Sequence, residues 1–180
     1  MRTLGKLLAF LLPGVAVVSA AFAGDYDLVI ENGQVMDPET KFDQVANVGI
    51  TGGRIAVITD QAITGKELID ATGLVVAPGF IDTHFHWTRP VGYKLALRDG
   101  VTKAMDLSAH CPEAEYSFNT NIGRLQPGMV ADFTLLGPTT VPDNATCVKG
   151  TLPTTGIPQV IVNGTVVPRN ARLAPAALQG

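Results

Sequence analysis

Short runs of β-branched and apolar residues, separated at close intervals by Gly, Asn and Asp, constrain the fold of this chain more than any other feature. The runs lie at 27–30, 34–36, 45–50, 54–58 and 66–70. Strands are usually about five or six residues long, whereas helices need about ten or more, so this spacing favours strands. The first part of the sequence therefore predicts an antiparallel sheet within a mainly β fold.

Three pairs of turn-forming residues separate apolar runs, two in the first part of the chain and one near its C-terminal end. Asn32-Gly33 and Asn163-Gly164 favour the type I′ turn, in which both central residues have positive φ, and each predicts a two-stranded hairpin. Gly52-Gly53 predicts a further reversal between two strands.

The stretch from Leu74 to Leu107 has a different pattern. Residues 74–77 are continuously apolar, as in a strand buried on both faces. Residues 91–98 can form two helical turns, and residues 101–107 resemble a second strand. Strand, short helix and strand predict one βαβ unit with parallel strands.

Length and charge exclude several classes of protein. The chain has 180 residues and a net charge of −3, so it has no basic field for a nucleic-acid backbone, and we expect no nucleic-acid partner. A complete (β/α)₈ barrel usually needs about 250 residues, which is more than this chain has.

Residues 1–23 have the organisation of a secretory signal peptide. Arg2 and Lys6 precede an apolar core at 7–18, and Ala21 and Ala23 fit a small-residue cleavage site. The apolar run is shorter than the roughly 20 residues that span a bilayer, so we expect export to the periplasm or the medium without a permanent membrane anchor. An oxidising compartment would permit a disulfide between Cys111 and Cys147, but their spacing does not decide whether they pair.

His84 and His86 are the residues most suited to metal chemistry. Two positions apart on a strand, they would point to the same face and could bind one divalent ion, as zinc sites require. Asp82 has the same parity and could orient one of these ligands. The alternative is that they are two surface histidines at the end of a strand.

Several blocks of this sequence resemble the amidohydrolase superfamily. The segment V-V-A-P-G-F-I-D-T-H-F-H, preceded by I-D-A-T-G-L, resembles the first barrel strand of that superfamily. Residues 27–38 and 48–58 are similar to its N-terminal β-sandwich, and residues 122–136 and 160–167 to its C-terminal return to that sandwich. Within the superfamily, the amino-acid sequence of these blocks is most similar to the D-aminoacylase and N-acyl-D-glutamate deacylase branch.

This resemblance implies a fold, a cofactor and a reaction. It implies a divalent metal, zinc in the first place, at the mouth of a TIM-like barrel, with His84 and His86 as the first two ligands and hydrolysis of carbon–nitrogen bonds such as those of N-acyl-D-amino acids. Arg89 and Tyr93 would line the substrate mouth, where Arg89 could pair with a substrate carboxylate.

The remaining catalytic parts of the superfamily are missing from this sequence. It has three His in total, and no residue matches the catalytic aspartate of the last barrel strand. His110 and Cys111 could complete a tetrahedral zinc site, or they could be junction residues without a role. The chain passes from the second barrel strand near Leu107 to the C-terminal sandwich near Asn119, which indicates an internal deletion.

These observations predict a composite β-sandwich from residues 24–78 and 119–170, a barrel remnant at 79–110 and a flexible tail at 171–180. The open strand edges of the remnant should leave it loosely attached and favour self-association. Two functions remain open: a metal-dependent amidohydrolase impaired by the deletion, or a non-catalytic β-sandwich that binds a metal weakly at most.

Overall fold

The computed structural model describes residues 22–86, 90–104, 121–142, 144–149, 152 and 154–167. Its strands are β1 (Phe22–Asp37), β2 (Phe42–Thr51), β3 (Arg54–Thr59), β4 (Ile63–Asp70), β5 (Val75–Pro78), β6 (Phe80–Asp82), β7 (Val101–Ala104), β8 (Phe133–Leu136), β9 (Gln159–Val162) and β10 (Thr165–Val167), and its helix is α1 (Pro90–Arg98). The predicted mainly β fold class is confirmed. No helix in these ranges is both long and apolar enough to cross a membrane.

Strand β1 has bonded partners along both of its edges. One edge pairs antiparallel with β2, and the other pairs in parallel first with β4 and then with β5. The predicted antiparallel pairing is confirmed for β1, β2 and β3, but it is wrong for β4, which lies parallel to β1 on its far edge and not beside its sequence neighbour β3. The result is a mixed sheet in which β8, β9 and β10 continue outward from β5.

The predicted hairpin at Asn32-Gly33 is also wrong, because β1 runs through this pair as one strand. Asn32 has a φ of 59°, and the register between β1 and β2 shifts between Ile30 and Gly33, as in a β-bulge. A Cβ atom on Gly33 would lie 2.4 Å from Cγ2 of Val76 and 3.0 Å from Cβ of Ala71. The glycine therefore permits a close approach between strands, and the chain reverses only after Asp37.

The other two predicted turns are confirmed, and they meet in space. Gly52 and Gly53 join β2 to β3, and Asn163 and Gly164 join β9 to β10, all four with positive φ. Ala131 bridges the two turns: its N–H donates to the Gly53 carbonyl and its carbonyl accepts from the Gly164 N–H, each at 2.9 Å. The sheet thus folds over on itself as a sandwich.

The main core lies between the folded halves of this sheet. Its members come from both the N-terminal and the C-terminal strands, and the largest fully buried ones in this cluster are Ile30, Ile50, Ile55, Phe133, Leu135, Ile161, Val35, Val48 and Val76. Burying a side chain of this kind stabilises the fold by about 1.5–3 kcal/mol. The two ends of the chain therefore depend on each other for a common core.

The chain leaves the sandwich at β5 and returns to it at β8. These strands pair antiparallel, and Pro78 lies directly opposite Phe133. Between them β6, α1 and β7 form the predicted βαβ unit, with β6 and β7 parallel. The strand predicted at 74–77 belongs to the large sheet as β5, and a separate strand, β6, follows Gly79 and pairs with β7.

Hydrogen bonds attach this unit to the sandwich. The Gly79 N–H donates to the Asp132 carbonyl at 2.9 Å, and the buried Thr134 hydroxyl donates to the Gly100 carbonyl at 2.8 Å. The Thr154 N–H donates to Oδ1 of Asp99 at 3.1 Å. The expectation of loose attachment is therefore wrong for the described residues. The origin of this unit in a barrel stays a prediction.

Asp37 is a buried carboxylate at the end of β1. It accepts hydrogen bonds from the Thr40 hydroxyl at 2.7 Å, the Gln126 amide at 3.2 Å and the Glu39 N–H at 3.3 Å. Burial raises the pKa of Asp37, but these bonds and one from the Leu125 N–H together lower the pKa below its ordinary value. The carboxylate thus ties the β1–β2 turn to the segment that returns toward β8.

We expect the Asp37→Ala substitution to lower the free energy of unfolding by about 1–3 kcal/mol, because it removes the buried carboxylate that accepts these hydrogen bonds. Urea denaturation followed by circular dichroism measures this change. Asp43→Ala is the matched control: Asp43 lies on the same hairpin but is exposed, so its loss should cost less than about 0.5 kcal/mol.

The Asp37 contribution should also depend on pH. Because its native pKa is below the value in the unfolded chain, the carboxylate stabilises the fold above the unfolded pKa, and this stabilisation is lost as the pH falls through the native pKa. The difference in stability between wild type and Asp37→Ala should therefore shrink in acid. An equal difference at neutral and acid pH would contradict this account.

Candidate functional site

The two histidines lie in the loop after β6 and not on the strand itself, which corrects their expected position. β6 ends at Asp82, whose Oδ1 accepts the backbone N–H of His84 at 2.9 Å. This bond between an aspartate and the N–H two residues on is a local turn that competes with strand hydrogen bonding. The chain therefore bends where the sequence pattern predicted continued extension.

The imidazoles nevertheless converge. Nε2 of His84 and Nε2 of His86 are 2.6 Å apart, and the ring centroids are 4.4 Å apart with the planes inclined at 66°. At this distance one ring donates an N–H hydrogen bond to the other, with the direction set by their tautomers. Both side chains are exposed. The structure thus brings the two predicted ligands together on an accessible surface.

Phe85, between the two histidines in the sequence, contacts α1. It is half-buried, and its ring lies 5.2 Å from the ring of Tyr93, with the planes inclined at 36°. Tyr93, which the resemblance assigned to substrate, is 39% exposed. This aromatic contact joins the histidine loop to the helix, while His84 and His86 are exposed.

The two imidazoles can bind a metal ion but do not make a catalytic centre. A tetrahedral zinc ion about 2.0–2.1 Å from each nitrogen would hold the two nitrogens about 3.3 Å apart, a small opening for exposed rings. In the part of the chain that the structure describes, no group of three or more His, Cys, Asp or Glu side chains could hold a metal. Catalytic zinc sites use three protein ligands and an open position.

Three other predicted site residues, Arg89, His110 and Cys111, lie outside the described residues. Cys147, whose pairing with Cys111 the sequence left open, is exposed and has a free thiol.

Asp132, directly before β8, is a residue that no sequence pattern singled out. Its Oδ1 accepts the Asn163 N–H at 2.7 Å, and its backbone carbonyl accepts the N–H of Gly79, just before β6. Burial raises the pKa of Asp132, and the bond from Asn163 and the charge of Lys103 only partly oppose this shift. Asp132 thus fixes the start of β6 by its backbone, a contact that no sequence pattern reveals.

An apolar groove opens beside β6, on the side of the β1–β2 turn. Its volume is about 660 Å³, and Met36, Phe42, Pro78, Phe80 and Ile81 are among the residues that line it. Neither histidine is part of its wall. The groove and the histidine pair are therefore separate features.

Comparison with known proteins gives short but strong sequence matches. No family model matches the chain. A dihydroorotase of Streptococcus pneumoniae serotype 4 and one of Solibacter usitatus are each 50% identical to it over 64 residues, which is 35% of this chain and 15% of each relative. The chain therefore matches only about a seventh of the length of these curated relatives.

Solved structures of related enzymes are also similar. A zinc-bound N-acyl-D-glutamate deacylase from Bordetella bronchiseptica, in complex with a phosphonate inhibitor, shares 30% sequence identity and superposes with a TM-score of 0.40 over 45% of this chain and 18% of that one. A D-aminoacylase shares 34% identity with a TM-score of 0.38 over 45% and 18%. Over the 64 matched residues the chain is similar to these dihydroorotases, and its motif blocks resemble the amidohydrolase superfamily.

Proposed function

We propose that this chain binds a divalent metal ion, zinc in the first place, through His84 and His86. We propose further that it derives from metal-dependent hydrolases of carbon–nitrogen bonds and that an internal deletion impairs hydrolysis. The convergence of the two exposed imidazoles directly after β6 carries this proposal. This is where the resemblance to the superfamily assigns the first two metal ligands.

The donor set supports impaired hydrolysis. The described residues offer two imidazoles, whereas a hydrolytic zinc site needs a third protein ligand and a base. The described part of the interval between Pro78 and Phe133 forms one βαβ unit, and the whole interval is far shorter than the roughly 250 residues that a complete barrel and its helices usually need. The loops that carry the remaining ligands and the substrate specificity of a barrel enzyme have no room in that interval.

N-acyl-D-amino acids are the substrate class that we assign to the ancestral activity. The support is the similarity of the block around His84 and His86 to the D-aminoacylase branch. In that assignment Arg89 pairs with the substrate carboxylate and Tyr93 lines the mouth. Dihydroorotate, the cyclic amide after which the sequence relatives are named, is the competing substrate.

A second candidate function is that of a non-catalytic β-sandwich that binds a metal weakly. The absence of a third donor among the described residues favours it. It shares the histidine pair with the first proposal, so metal binding and hydrolysis must be measured separately.

We expect His84→Ala and His86→Ala each to lower zinc affinity about tenfold or more, because each variant removes half of the donor pair. Isothermal titration calorimetry with zinc chloride measures this. Thr83→Ala is the matched control, since Thr83 is an exposed neighbour in the same loop and should leave the affinity unchanged. Equal affinity in the wild type and both His variants would place the metal elsewhere.

Hydrolysis should be undetectable above a zinc-only control. The assay follows amine release from N-acetyl-D-amino acids and ring opening of dihydroorotate, with a complete dihydroorotase as a positive control. The physical reason is the missing third ligand and base. Zinc-dependent turnover that disappears in His84→Ala would show that residues beyond the described ranges complete a working site.

We also propose that the chain is exported and that residues 1–23 are removed. Expression from the natural start should yield a mature protein that begins at Gly24, which intact mass and N-terminal sequencing would reveal. Ala23→Arg should block cleavage, because the position before the cut needs a small residue. Recovery of the exported wild-type protein with Met1 still attached would contradict this proposal.

A further inference from the structure

We propose that one zinc ion joins two copies of this chain by taking His84 and His86 from each copy. The inference rests on the proposed function only for zinc binding by these two residues. The site would be closed and structural, with four imidazoles around the ion, and the second copy would supply the ligands that a single chain lacks.

The shortage of donors is the first argument. Zinc in structural sites is almost always bound by four protein ligands in a tetrahedron. The described part of one chain brings two imidazoles to a point and offers no third His, Cys, Asp or Glu there. A second identical pair related by a two-fold axis completes the tetrahedron without any new residue type.

The orientation of the pair is the second argument. Phe85 contacts Tyr93, and the histidines on either side of it are both exposed. Because they follow the end of β6, they are held by a loop and not recessed within a sheet. A second copy can therefore approach them without displacing any core residue.

Charge makes this association depend on the metal. Each chain has a net charge of −3, so two copies repel weakly when no cation is present. Neutral imidazoles leave the ion with its full positive charge, which opposes the net negative charge of each copy. The ion thus supplies the attraction that the two surfaces lack.

Sedimentation velocity of the full chain during a zinc titration tests the proposal. With chelator present we expect monomer. Added zinc should produce dimer with a maximum at about one ion per two chains, because each copy gives two of the four ligands. A large excess of zinc should dissociate the dimer, since every histidine pair then binds an ion of its own.

Variants and cobalt refine the test. His84→Ala and His86→Ala should remain monomeric at every zinc concentration, whereas Thr83→Ala should dimerise as the wild type does. All three sites are exposed and outside the strands, and circular dichroism checks that the fold is kept. Cobalt at half an equivalent should give the intense visible absorption of a tetrahedral ion, which weakens in excess metal.

The outcomes separate this inference from the proposed function. One zinc per monomer with no dimer would overturn the bridge and leave metal binding intact. No zinc binding at all would overturn both. Association that persists in chelator and in the His variants would overturn the bridge and identify open strand edges as the contact instead.

Discussion

The hydrogen bonding of β1 along both edges is the constraint on which this structure depends. Its pairing with β2, β4 and β5 joins the two parts of the sheet, and through β5 it reaches the C-terminal strands. The close approach at Gly33 is needed for this arrangement, because a side chain there would collide with Val76. The path of the chain into β6, and with it the position of the histidines, follows from where β5 ends.

Features set by neighbouring residues could be read from the sequence, and features set by distant ones could not. Gly52-Gly53 and Asn163-Gly164 form turns because their local preference for positive φ agrees with the fold. Asn32-Gly33 has the same local preference, but Val76 and the bonded strands on both sides of β1 keep the pair within one strand. Tertiary contacts therefore determine that the Asn-Gly pair forms a turn at 163–164 and stays within a strand at 32–33.

The same distinction holds at the site. Spacing alone predicted that His84 and His86 would meet, and they do, although a turn made by the Asp82 carboxylate replaced the strand that was expected to align them. The contact with Tyr93 and the position of Asp132 arise from contacts between elements, which no local pattern contains. Among the described residues, two imidazoles converge without a third donor.

The pairing of Pro78 with Phe133 means that the chain departs from the sandwich and rejoins it at facing positions. An insertion whose two ends are adjacent costs little additional free energy even when it is long, since doubling the length of a flexible loop costs only about 0.6 kcal/mol. Large gains and losses of sequence in this interval can therefore leave the sandwich intact over evolutionary time. Unrelated domains whose two termini lie side by side can be inserted by design between the same two strands.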